Sequence, residues 1–207
     1  MFGYNKNTKN KEGFENHVWQ IKDVNTMGHN RIFNTIEIRA YLPSKQLTRT
    51  FVGLEMSDWV HIYAKTKDGR VLFVKQHRIG SNEVTYELPA GTIEEGEDAL
   101  NAAKRELLEE TGYTSNNWHF VGKYSVNPAI QTNNVYIYCA LGCEKAGDQK
   151  LDEAEDIEVI EMTYDEFADV FEETDERKYN VTHALSQLSL LRASLWEAMN
   201  GQEEQDV

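Results

Sequence analysis

Residues 91–113 constrain this chain more than any other stretch: Gly-Thr-Ile-Glu-Glu-Gly-Glu-Asp-Ala-Leu-Asn-Ala-Ala-Lys-Arg-Glu-Leu-Leu-Glu-Glu-Thr-Gly-Tyr. The pattern predicts a helix over 98–111, stopped by Gly112, the residue type that most readily takes the left-handed cap. At about 100° per residue, Glu106, Glu109 and Glu110 fall within an arc of roughly 100°. Leu100, Ala103 and Leu107 form a neighbouring apolar stripe able to pack on a sheet. Like charges so close destabilise a helix unless something compensates. A hard divalent cation, Mg2+ or Mn2+, is the natural compensation for a set of oxygen ligands. Arg105 stands four residues before Glu109, positioned to pair with it. Pro89-Ala90-Gly91 precedes the helix, and the glycine permits a tight loop whose carbonyls can approach the same ion. The alternative is a solvated acidic helix face, but here the acids are set beside the apolar stripe rather than mixed with lysines.

Charge points the same way. Of 207 residues, 35 are acidic and 21 basic, giving a net charge of −14. Such a surface repels phosphate backbones and argues against general nucleic-acid binding. An acidic protein that handles phosphates needs cations to bridge the two. No run is long and apolar enough to suggest a membrane helix, and the polar N-terminus carries no apolar signal core. Cys139 and Cys143 fit neither a disulfide framework nor a zinc spacing, so they read as small hydrophobes in a reducing cytoplasm.

The remainder divides into a tail over 1–16, a β arm over 17–56, a main domain over 57–199 and a second tail over 200–207. In the arm, residues 36–42 alternate apolar and polar before Pro43, and 50–54 form a second strand. That sheet is too small to fold alone. In the main domain, strands are expected over 60–64 and 71–75, joined at Asp68-Gly69, a strong hairpin signal. Others are expected over 84–88, 118–124, 134–141 and 157–162, with further helices over 164–171 and 182–199. Strands flanked by helices indicate a mixed α/β sandwich.

The segment 91–113 matches the Nudix box at each defined position: Gly91, Glu97, Arg105, Glu106, Leu107, Glu109, Glu110, Gly112 and Tyr113. This resemblance implies an α/β/α sandwich with a mixed sheet, preceded here by the small antiparallel β arm, and hydrolysis of a nucleoside diphosphate linked to another group. By the same likeness Glu106, Glu110 and the Ala90 carbonyl hold metal. Glu109 is a further ligand or support, and Glu97 and Arg105 brace the box.

Outside the box the chain resembles the ADP-ribose pyrophosphatase group from about Arg31 to Leu191. Gln76-His77-Arg78 is similar to that group's Gln-Tyr-Arg, which places Arg78 near the substrate diphosphate, where a planar guanidinium suits bidentate binding. Glu87-Leu-Pro-Ala-Gly91 and Pro128 are also typical of the group. Residues 151–157, Leu-Asp-Glu-Ala-Glu-Asp-Ile, resemble its catalytic loop, with Glu153 as general base and Glu155 as an extra metal ligand. Asn133 stands near the position where such enzymes place an acid against the terminal ribose, which leaves room for GDP-mannose or other nucleotide sugars. Phe33 corresponds to an arm aromatic presented to the base, and in this group the arm exchanges between the protomers of a homodimer. The expected activity is therefore Mg2+-dependent hydrolysis of nucleoside diphosphate sugars to a nucleoside monophosphate and a sugar phosphate. A (d)NTP or dinucleotide pyrophosphatase is the alternative enzyme, and a nucleotide-sensing module the alternative of another class.

Overall fold

The computed structural model describes residues 12–163, 165, 166, 179 and 181–200. Most of the helix expected over 164–171, and most of both expected tails, lie outside these residues. The chain divides into two compact units, Met1–Asp58 with Ser125–Asn134, and Trp59–Tyr124 with Val135–Val207.

The first unit is an antiparallel sheet of β1 (Gln20–His29), β2 (Asn34–Leu42) and β3 (Leu47–Glu55), in the order β1-β2-β3. The alternation seen in β2 is real: Ile36, Ala40 and Leu42 are buried while Arg39 is exposed. Residues 125–134 lie along the outer edge of β3. Leu54 N–H donates to Ile130 O at 2.7 Å, and Thr132 N–H donates to Leu54 O at 3.1 Å. A cavity of about 280 Å³ opens between Trp19, Phe51 and Pro128 of this unit.

The second unit holds an eight-stranded mixed sheet. Its central strands are β4 (Trp59–Thr66), β5 (Val71–Arg78) and β10 (Asn134–Lys145), with β11 (Glu158–Met162) beyond β5. β4 runs parallel to β10 and antiparallel to β5, and Gly69 supplies the turn between β4 and β5 at φ +84°. The shorter pieces are β6 (Glu83–Glu87) on β5, β7 (Ala90–Thr92) on β4, β8 (Tyr113–Thr114) on β10 and β9 (Asn117–Ser125) on β10.

Among the described residues, two helices cover this sheet, α1 (Ala99–Thr111) and α2 (Ala184–Asn200). The period-2 geometry of the strands separates two cores. Val60, Ile62, Ala64, Leu72 and Ala140 pack with Ala103 and Leu107 of α1. Tyr63, Val71, Phe73 and Cys139 pack with Leu190 and Ala193 of α2. This is the expected α/β/α sandwich. The Asp98 side chain caps α1 by accepting from Leu100 N–H and Asn101 N–H, and Gly112 closes it at φ +72°. Strand β6 turns its polar residues inward: Thr85 and Glu87 are buried while Val84 is 48% exposed.

Candidate active site

The site is assembled at the start and end of α1. Gly91 is needed for more than its turn, because a Cβ there would meet the Glu106 carboxylate carbon at 2.0 Å. Without a side chain at 91, the β7 backbone and the Glu106 carboxylate can occupy adjoining space. On the last turn of α1, Glu110 is buried and accepts from Ala90 N–H at 2.9 Å. Helix and loop are thus fastened through a candidate ligand.

Arg105 organises the remaining acids. Its Nε and NH2 reach the two oxygens of Glu97 at 3.1 and 2.9 Å. NH1 donates to Glu106 at 2.7 Å and to Glu109 at 3.1 Å, and NH2 also donates to Thr92 O at 2.9 Å. These bonds, the Glu97 pair foremost, raise the Arg105 pKa above its ordinary value. Glu97 is correspondingly lowered by Arg105.

Glu110 is in the opposite condition. Burial first, then the charges of Glu106 and Glu155, push its carboxyl up to about 8, against the pull of the Ala90 N–H. Burial also raises Glu106, outweighing the pull of Arg105, with smaller repulsion added by Glu109 and Glu155. These acids are packed where they resist being ionised together. Among the described residues, no three acidic, histidine or cysteine side chains close around one point as they stand. Oxygens of Glu106 and Glu109 are instead turned onto Arg105. All donors here are carboxylate or backbone oxygens within one electrostatic cluster, so the set fits a hard divalent cation.

Glu155 belongs to this cluster through its field on Glu106, Glu110 and Arg78. Its carboxylate also accepts from Asp152 N–H at 3.0 Å. Glu153 stands exposed on the same loop. Arg78, expected to offer itself to a diphosphate, lies near Glu110 but is also held by Glu87, with Nε and NH2 each donating at 2.8 Å. Phe33 is half-buried in the β1–β2 turn and Asn133 is buried, both in the first unit. Neither polar atom of the Asn133 side chain has a partner among the described residues.

Sequence reasoning named Glu87 only within the run 87–91 and gave it no role, and it passed over Thr85, His183 and Gln149. The Gln149 amide donates to Glu110 O at 2.6 Å and to Ile157 O at 3.1 Å, tying the acidic loop to the end of α1. The likeness of the run 87–91 to the resembled group is the signal in the sequence that touched Glu87. Nothing local marks His183 or Gln149.

The family model of the NUDIX domain matches residues 58–185. This chain belongs to the Nudix family. It is 34% identical over 108 residues to a methanol dehydrogenase activator of Bacillus methanolicus, covering 52% of this chain and 58% of that protein. It is 30% identical over 135 residues to an ADP-ribose pyrophosphatase of Bacillus subtilis, covering 65% of this chain and 73% of the relative. The ADP compounds hydrolase NudE of Escherichia coli is 26% identical over 173 residues, covering 83% and 90%. The fold matches a crystal structure of an ADP compounds hydrolase with a TM-score of 0.74 at 22% identity, covering 88% of this chain and 96% of that one. Among the described residues, no helix is long and apolar enough to cross a membrane. Both cysteines are free and buried, and burial pushes each thiol up to about 12.

Proposed function

We propose that this Nudix protein hydrolyses the diphosphate bond of nucleoside diphosphate sugars, ADP-ribose first among them, releasing a nucleoside monophosphate and a sugar phosphate. The observation that carries this reading is Glu110, buried against the Ala90 backbone with its carboxyl raised to about 8 beside Glu106 and Glu155. Such a group awaits positive charge. Glu106, Glu110, Glu155 and the Ala90 backbone would hold Mg2+ or Mn2+, which when bound neutralises diphosphate charge and makes water a better nucleophile. The chain supplies the rest. Arg105 fixes Glu106 and Glu109, and Glu97 fixes Arg105. Arg78 binds the diphosphate, and Glu153, exposed on its loop, takes the proton of the attacking water. Likeness to the pyrophosphatase of Bacillus subtilis supports the sugar-linked substrate. Likeness to NudE over 90% of its length favours a second reading, in which other ADP-linked compounds are also cleaved. The β arm would support a homodimer, for which light scattering should give twice the 23.9 kDa chain mass rather than the chain mass itself.

The decisive experiment is a product-release panel over ADP-ribose, GDP-mannose, UDP-glucose, NADH and dGTP, with Mg2+ and with EDTA. ADP-ribose should be turned over fastest, and EDTA should abolish turnover. Full activity in EDTA would overturn the metal assignment. A clear preference for dGTP would overturn the substrate class, and binding without turnover of any compound would leave a sensor.

A further inference from the structure

Glu87 ends β6 three residues before Ala90, and its side chain is only 2% exposed. One carboxylate oxygen accepts from Arg78 Nε at 2.8 Å and from the Thr85 hydroxyl at 2.6 Å. The other accepts from Arg78 NH2 at 2.8 Å and lies 3.4 Å from His183 Nδ1. Burial pushes the Glu87 carboxyl up, but the bonds from Arg78, His183 and Thr85 outweigh it and hold the group ionised well below the usual carboxylate range. Behind it lies buried His61, whose Nδ1 is 3.3 Å from the Ser189 hydroxyl. Burial first, then His183, drives His61 down to about 3, so it stays neutral. The network therefore runs from Arg78, whose side chain is 48% exposed, inward to a neutral core.

The consequence falls on Arg78. A guanidinium has five N–H donors in a rigid fork, and the side-on pair with Glu87 uses two of them. The other three remain, on a group that can no longer swing. A free arginine must surrender rotamers when it binds an anion, whereas one already fixed does not.

We propose that Glu87 is the positioning residue for Arg78, presenting its remaining N–H donors as a fixed fork to the substrate diphosphate. This rests on the reading of Arg78 as a diphosphate-binding residue. It differs from a purely structural role, in which the pair only neutralises a buried carboxylate and pins β6 to β5.

A double-mutant cycle separates the two, using ADP-ribose kinetics at saturating Mg2+ with thermal melting of every variant. Glu87→Gln keeps the volume but sets an amide N–H against the guanidinium. It should raise KM about ten-fold while kcat stays within about two-fold, the signature of lost binding. Arg78→Lys should raise KM by a similar factor, and the double variant should be no worse than Arg78→Lys alone. Thr85→Val removes one bond to Glu87 without touching charge, and should raise KM by about two- to three-fold should Glu87→Gln not fold. Unchanged KM in folded Glu87→Gln and Thr85→Val, or KM effects that multiply in the double variant, would overturn the positioning role while leaving Arg78 as a binding residue. Unchanged KM in Arg78→Lys would remove Arg78 from the substrate site, and this inference with it.

Discussion

In the Nudix box, carboxylates are fastened: Glu97, Glu106 and Glu109 all accept from Arg105, and Glu110 accepts from Ala90 N–H. In the loop over 151–157, which is denser in acids, Glu155 closes a turn on Asp152 N–H and Glu153 is exposed. The base of this loop is anchored by Lys150 N–H to Glu109 O at 2.8 Å and by the Gln149 amide to the Glu110 and Ile157 carbonyls. The roles proposed for Glu106 and Glu110 as ligands and for Glu153 as proton acceptor give this contrast a physical reason. Ligands for a cation have to be held in place before it arrives, since ordering them afterwards costs affinity. A proton acceptor has to meet water and then release its proton, so it works best where neighbours do not already occupy its lone pairs.

The sharpest way to break this comparison is to remove charge from the fastened side. Glu110→Gln should lower kcat by ~10³-fold or more, because a ligand set that loses a carboxylate loses several kcal/mol of charge stabilisation. The metal-free fold should survive, since the carboxyl is already raised to about 8 and an amide imitates its protonated form. A folded variant with near-native kcat would mean that the packed acids are structural and that the chemistry lies elsewhere.

A smaller effect is expected on the open side. Glu153→Gln should reduce kcat by ~10²-fold with KM nearly unchanged, in the range for loss of a general base. Asp152→Asn should stay within about two-fold of native, as a solvated neighbour outside the reaction should. Equal and mild losses at both positions would show the loop to be merely solvated, and the base would then have to come from the fastened set.

The same contrast explains how much was legible in advance. The box is local: Asp98 caps α1, Gly112 ends it, and Glu106, Glu109 and Glu110 share a face because helical geometry puts them there. The period-2 pattern of β2 was legible for the same reason. β1 was placed only within the arm over 17–56 and given no bounds, since Gln20–His29 has no buried residue whose face could write an alternation. β7 and β8 span three and two residues, too short for any periodic signal. The partners of Glu87, and the anchoring of the acidic loop by Gln149, join side chains far apart in sequence, and only tertiary packing brings them together. Arg78 was read for its charge, but its orientation depends on a buried acid across the β5–β6 hairpin.

The smallest expected effect is on stability, and it tests the condition of the fastened acids directly. Burial, then the charges of Glu106 and Glu155, raise the folded pKa of Glu110 from 4.5 to about 8. Below the lower value the group is protonated folded and unfolded, so its contribution to stability is fully present. As pH rises, the unfolded chain ionises while the folded chain keeps its proton, so stability falls until the folded group also ionises near the upper value. Protein stripped by chelator should therefore lose several degrees of Tm between about pH 5 and about pH 8. Added Mg2+ should restore most of that loss at the alkaline end, where the ligands it binds are otherwise most strained. Glu110→Gln should flatten the chelated profile, leaving only the weaker slope of Glu106, whose burial raises it too. If the variant keeps the full native slope, Glu110 is not the group that titrates. The packed carboxylates would then be no more strained than those of the open loop, and the distinction between the two regions would fail on its energetic side.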